Sequence, residues 1–447
     1  MLWTLLAVVL LAPLPLGSNR PLPASLLAGA VGALLCVWGI GALVAGPDPK
    51  VSLRPYWPAM ALLALAAAWA AVQAVSFTPT AVHHPWWRDA RAILGVPAVG
   101  AISINPAATW SRLMGLLAYG GIFWLALHLC RRSGRAHQVL FALAAGGLVY
   151  AAYGLFDLLA STAGVVTSTF VNRNSYATYA GMTLFCGLGL VVGELTRRAS
   201  PGSSLGSVAF EVLSRLETPF AIGVMTCLVA SAALVLTQSR GALIGLCAAL
   251  IVFVWSLGRM TVMTSRACFK ASALFAIGLL LAIVALAGED TLGRFAEADV
   301  HALNRLAYYR TTWAAIGDRP WLGTGYGTYA DAFMAYNHPG TGTYFLDKAH
   351  NTYLQMIMEL GWPAAVALYA GLALLVLRCL QGPFGPGDSA VCPAVVAACS
   401  TLVAVHSLLD FSLEMPANAA TYALLLGLGC AQALRRRSWR HGYKIDQ

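Results

Sequence analysis

Charge is what this chain has least of. Only 10% of its 447 residues are Asp, Glu, Lys or Arg, against about 25% in a soluble domain. That scarcity, with 59% hydrophobic residues and a mean hydropathy of +0.71, excludes an ordinary soluble fold. Several chemical signatures are missing as well. There is no CxxC, HExxH or DxD, and no Walker-type loop. A zinc site is not expected, nothing suggests ATP use, and neither a cofactor nor a metal is expected. Ten cysteines are present, all in or next to apolar stretches. They read as small packing residues rather than disulfide partners. No internal repeat is evident.

What the chain does have is long apolar runs. Crossing a bilayer takes about 20 apolar residues. Twelve spans are read near 2–16, 24–44, 58–76, 111–130, 138–159, 175–194, 218–237, 241–257, 271–288, 361–377, 390–409 and 415–434. The first is short but has no basic residue ahead of its apolar run, so it is kept as a span rather than a signal peptide. The expected fold class is an all-α polytopic membrane protein, with residues 1–447 forming a single transmembrane domain.

The basic residues orient it. Seventeen of the 28 Lys and Arg fall on the side of the C-terminal tail RRRSWRHGYK. Both termini are therefore expected in the cytoplasm. Two long loops, 77–112 and 289–350 (the latter between spans nine and ten), are expected on the outer side. The net charge of +10 is mostly this inside bias. No basic stripe is interleaved with aromatics, so nucleic acid is not an expected partner.

Within the second loop, aromatic and aliphatic residues recur at helical spacing from Leu303 to Ile316, and a helix near the membrane surface is expected there. DRPWLGTGYGTYA then ends it, and GTGYG reads as a turn, not a nucleotide fingerprint. The Trp and His residues of HHPWW, in the first loop, suit an aromatic belt.

Against this apolar background, a few polar clusters need explaining. TQSRGA (237–242) carries Arg240, the one charge in 218–258. Either it snorkels to headgroups, or it presents a guanidinium that can grip a phosphate bidentately. FVNRNSYATY (170–179) offers Asn172, Arg173 and Asn174 without a carboxylate. One Asn could cap a helix; the alternative is sugar or pyrophosphate binding. NRLAYYRTTW carries Arg305 and Arg310, about 140° apart on a helix, so they are not expected to serve one phosphate.

DKAHNTYLQMIMELGWPA (347–364) places His350 and Asn351 between a loop and an apolar run. Asp347 reads as the cap of a helix beginning there, whose dipole would favour a neutral imidazole fit for a general base. Gly361–Pro363 should end that helix. His338, in YNHPG, reads first as an interfacial histidine and is kept as a substrate-binding candidate. His406 and Asp410, four apart in VHSLLDFSLEMP, read first as an ion pair on one helix face and second as support for the site.

Taken together, FVNRNSYATY, TQSRGA, the run from NRLAYY to DRPWLGTGYG, and above all AHNTYLQMIMELGWP resemble the O-antigen ligase family, within the wider O-antigen ligase and polymerase superfamily. ISINPAAT and HSLLDFSLEMP add to the likeness, which spans roughly 100–420. Tyr309 departs from it, standing where a Trp is common.

The resemblance implies a GT-C-like glycosyltransferase of the Gram-negative inner membrane, with its active site on the periplasmic face. The implied donor is a glycan on undecaprenyl pyrophosphate, and the implied acceptor is a sugar hydroxyl of lipid A–core. The family motifs fall on His350 as catalytic residue, with Arg240 and Arg305 as partners. Asn172, Arg173, Asn174, Arg310, Asn351 and His338 are candidates for substrate binding. A repeat-unit polymerase or a protein O-oligosaccharyltransferase would share these motifs. A lipid-linked glycan transporter fits less well, because such proteins often show repeats and midplane charges.

Overall fold

The computed structural model describes residues 1–45, 53–95, 99–161, 164–198, 204–214, 217–259, 269–270, 272–278, 281, 299–336, 346–381 and 391–442. Among the described residues the chain is all helix and turn, with no strand. In chain order the helices are α1 (Leu2–Leu11), α2 (Pro21–Ala45), α3 (Trp57–Ala74), α4 (Trp86–Leu94), α5 (Pro106–Leu129), α6 (Ser133–Ala160), α7 (Arg173–Arg198) and α8 (Leu205–Ser214). They continue with α9 (Thr218–Leu236), α10 (Arg240–Arg259), α11 (Asp299–Asp318), α12 (Tyr329–Tyr336), α13 (Thr352–Leu360), α14 (Trp362–Leu380), α15 (Cys392–His406) and α16 (Pro416–Gly442).

Eight of the described helices are long and apolar enough to cross a membrane: α2, α3, α5, α6, α7, α9, α10 and α14. α1 and α15 are apolar but shorter. The run read near 415–434 lies in α16, and most of the span read near 271–288 lies outside the described residues.

α7 sits at the centre. Nearly all of its side chains are buried, because α6, α9, α10 and α15 surround it. With lipid as apolar as Leu, such helices gain little from hydrophobicity and more from close packing. Gly187 of α7 meets Gly223 of α9 so tightly that a Cβ there would lie 2.9 Å from the facing carbonyl.

A smaller second core forms where α11–α14 meet the ends of α3 and α5, around Ala66, Leu113, Ile316, Tyr329, Phe333 and Met356. The helix expected over 303–316 is α11. It ends at Asp318, before Pro320, as a Pro without an amide hydrogen demands.

The expected turn GTGYG is built into this core. Gly323, Gly325 and Gly327 all take positive φ. At Gly323 a Cβ would fall 2.2 Å from the Glu359 carbonyl, and at Gly325 2.2 Å from Ser103 Oγ. The amides of Thr324 and Gly325 donate to the carbonyls of Met358 and Glu359 at 3.0 Å each. Gln73 of α3 closes the staple, its amide nitrogen donating to the Leu322 and Glu359 carbonyls at 2.7 and 2.8 Å.

The HHPWW loop is not a lipid-facing belt throughout. His83 and His84 are buried, His84 edge-on to Trp86, and the Trp87 indole donates to Ser103 O at 3.0 Å.

Candidate active site

His350 lies in the bend just before α13. It adopts φ +52°, a left-handed conformation that non-glycine residues seldom take and that persists only where surroundings impose it. The surroundings do so here. The Tyr309 hydroxyl donates to the His350 carbonyl at 3.0 Å, and the Phe411 ring stands edge-on to the imidazole, 5.0 Å between centroids. Two residues on, Thr352 donates its amide to Ser407 O and its hydroxyl to Asp410 O, both at 2.9 Å.

The cap of α13 is Asn351, not Asp347. The Asn351 side-chain oxygen accepts from the amides of Tyr353 and Leu354 at 3.1 Å. Asp347 lies outside any helix, five residues before Thr352, the first residue of α13. Gly361, at φ +75°, ends α13 as expected, and Trp362 starts α14.

The imidazole faces a carboxylate. His350 Nδ1 lies 3.4 Å from Asp410 Oδ1, a close contact without hydrogen-bond geometry. The Asp410 side chain is 1% exposed and that of His350 26% exposed, so the acid is sealed and the base accessible. Asp410 Oδ1 also accepts the Phe411 amide at 2.8 Å. Burial pushes the Asp410 carboxyl up, but the His350 and His406 rings and the Phe411 amide outweigh it and hold the group below its usual range. It is an anion at working pH.

His406 does not pair with Asp410, correcting the first reading of that motif. α15 ends at His406, so the four-residue spacing is not on one helix. His406 Nδ1 instead meets the hydroxyls of Thr178 and Ser412 at 2.7 and 3.0 Å.

The arginines approach the same segment. Gln238, at φ +54°, turns the chain between α9 and α10, and Arg240 is the first residue of α10. Its neighbour Gly241 is pressed against His406, where a Cβ would lie 2.9 Å from the ring. Arg240 is half-buried.

Arg305 precedes Tyr309 by four residues on α11, so the two share a face. Tyr309 is the residue that touches His350. Burial pushes its phenol up, opposed by the Arg305 charge. Arg310 is exposed and lies off that face. Asn172 caps α7, its side chain accepting the Asn174 amide at 2.7 Å. Arg173 and Asn174 open that helix, half-buried. His338 lies outside the described residues.

Sequence reasoning missed a second polar layer directly behind α13. Arg112 of α5 is paired with Glu414 and also donates to the Glu414 carbonyl. Gln355 donates to both Glu414 Oε2 and Glu359 Oε1, at 3.1 and 3.2 Å. Glu359 further accepts the amides of Gly327 and Tyr329 at 2.8 and 3.2 Å. Burial first, and then the negative charge of Glu414, push the Glu359 carboxyl up to about 7. Two acids beside apolar helices were the available signal, since ionisable residues there are costly and usually have a purpose. Among the described residues no group of three or more His, Cys, Asp or Glu is placed to hold a metal ion.

An accessible imidazole beside a sealed carboxylate can take a proton, and Arg305, whose charge acts on the neighbouring Tyr309, can face developing negative charge. Residues 225–369 match the family model described as O-antigen ligase. That stretch contains Arg240, Arg305 and His350 and stops short of Asp410 and Glu414. No curated protein matches the chain.

Proposed function

For this chain, a member of the O-antigen ligase family, we propose transfer of a glycan from undecaprenyl pyrophosphate to a sugar hydroxyl of lipid A–core at the periplasmic face of the inner membrane. The observation that carries this reading is the His350–Asp410 contact inside a membrane-embedded helical protein.

His350 is the general base. With Asp410 facing Nδ1, the proton on that nitrogen is the favoured one, and Nε2 is left to accept. As the acceptor oxygen bonds to the anomeric carbon, its proton passes to Nε2. The bond from that carbon to the pyrophosphate oxygen breaks, and its electron pair leaves on the pyrophosphate. Attack opposite the leaving oxygen inverts the anomeric centre. The donor is already activated, so no ATP is consumed. Arg240 and Arg305 face the charge that grows on the leaving group, where preorganised cations are worth most.

Arg173, Asn174, Arg310 and Asn351 rim the reading as contacts to sugar or pyrophosphate. For Asn172 the capping bond uses the side-chain oxygen and leaves the NH₂ group for a ligand, whereas the Asn351 side chain also hydrogen-bonds Tyr309.

Purified protein in lipid nanodiscs, given the lipid-linked donor and one of three acceptors, tests this. Glycan on lipid A–core supports the ligase. Product only on a second carrier-linked glycan makes it a polymerase, and product only on protein a protein glycosyltransferase. Absence of transfer to all three overturns the reading.

A further inference from the structure

A cavity of about 860 Å³ opens beside α13. It lies between α3, α5, α14, α15 and α16, and its walls include Leu116, Phe123, Leu372, Val403 and Leu426. Two of its lining residues, Leu117 and Leu377, are exposed, so the cavity is open between the helices rather than sealed. Along α14 it runs from Leu368 to Leu377, about 14 Å of helix, close to the thickness of one leaflet's hydrocarbon, about 15 Å. Its upper end is Thr352 and Tyr353, two and three residues after His350.

Most of the polar groups in its lining are already engaged. Tyr353, Tyr369 and Tyr422 spend their hydroxyls on Ala404 O, Thr352 O and Ser400 Oγ, and Ser400 and Thr401 bond back to their own helix. Its one carboxylate, Glu414, is held by Arg112 and Gln355. No cation in the lining waits for a pyrophosphate. The occupant this suits is a hydrocarbon chain.

Which substrate brings that chain follows from α15. Leu402 packs on Gly181 of α7 and Gly245 of α10, and His406 on Gly241 beside Arg240. Ser400, Val403, Ala404 and Ser407 line the cavity. At 100° per residue these two sets occupy different faces of the helix, their centres about 130° apart. α15 is a partition with the Arg240 helix on one side and the cavity on the other. In-line displacement brings nucleophile and leaving group to opposite sides of the anomeric carbon. With the pyrophosphate on the arginine side, the cavity belongs to the nucleophile.

Resting on the activity inferred above, we propose that this cavity seats the hydrocarbon chain of a lipid-anchored acceptor, entering laterally from the bilayer. The acceptor is thus a glycolipid, recognised by its anchor as well as its sugar.

The test compares two acceptors bearing the same sugar, one lipid-anchored and one delipidated, with the full-length protein in nanodiscs. Ala373→Trp and Ala404→Trp fill the cavity at exposed lining positions. The expected result is a KM for the anchored acceptor at least tenfold higher, with donor KM and turnover of the delipidated acceptor unchanged. A rise in donor KM instead, or no change, overturns the proposal.

Photocrosslinking of wild-type protein needs neither turnover nor a well-folded variant. An acceptor with a diazirine in its chain should label peptides of α14 and α15. Equal labelling by a diazirine-bearing polyprenyl donor or by bulk phospholipid overturns the proposal. If wild-type protein transfers glycan to neither acceptor while the acceptor chain still labels the cavity, the activity assignment fails and the cavity assignment stands.

Discussion

Asp410 Oδ1 lies 3.4 Å from His350 Nδ1, joining the bend before α13 to the irregular segment after α15. The carboxylate is sealed and the ring is not, which fits the proposed roles, Asp410 orienting His350 and His350 meeting the substrate. His350→Ala should lower turnover by about 10²–10⁴-fold, the usual worth of a general base. Binding of the lipid-linked donor, measured separately, should remain. Undiminished turnover in that variant would remove His350 from the chemistry.

Asp410→Asn tests the orienting role. A partner that fixes a ring from behind is typically worth about 10–100-fold. kcat should fall by that much while both KM values stay within about threefold. A loss of donor and acceptor affinity with kcat intact would make Asp410 a structural residue instead.

The two loop arginines should separate. Arg305 shares a helix face with Tyr309, which touches His350, and Arg310 is exposed off that face. Arg305→Ala should cost about 10²–10³-fold in kcat, as the removal of one charge-stabilising donor does. Arg310→Ala should stay within a few-fold. The reverse order would move the pyrophosphate to another face of α11.

Glu359 carries a pH signature. Its carboxyl holds a proton up to about 7 in the folded chain, against 4.5 ordinarily. Between those values the folded state binds more protons than the unfolded one. The group's stabilising contribution is therefore full below about 4.5 and lost as pH rises through about 7. Thermal melting of the purified protein should decline over that window, and Glu359→Gln should flatten the decline. An identical slope in both proteins would assign the pH dependence elsewhere.

Gly323→Ala asks for the least space and should still be costly. The residue has φ +70°, and the new Cβ would fall 2.2 Å from the Glu359 carbonyl. Destabilisation on the order of 2–4 kcal/mol is expected, from backbone strain and a displaced staple together. A melting temperature unchanged from wild type would mean that the 323–328 turn is not held as tightly as its contacts imply.

Much of this protein is written locally. Twenty-residue apolar runs became helices at the expected places, because backbone groups in an apolar medium must bond within their own segment. Pro320 and Gly361 ended α11 and α13 where their backbone chemistry requires. His350, Arg240 and Arg305 stood out by being polar where little else was. The cap of α13 was also local, yet it was misassigned: Asn351, adjacent to the first helical residue, reaches the amides that Asp347 does not.

What only the tertiary structure decided is which groups meet. A four-residue spacing suggested His406 for Asp410, but the helix stops between them and the packing of α13 on the 407–410 segment supplies His350 instead. Arg112, Gln355, Glu359 and Glu414 come from three separate regions of the chain, and their proximity left no periodic trace. The two faces of α15 likewise acquire meaning only once α10 covers one and the cavity the other. Hydrophobic pattern records how deeply a residue is buried. It does not record its neighbour, because that depends on how distant helices pack, and packing is a property of the whole bundle.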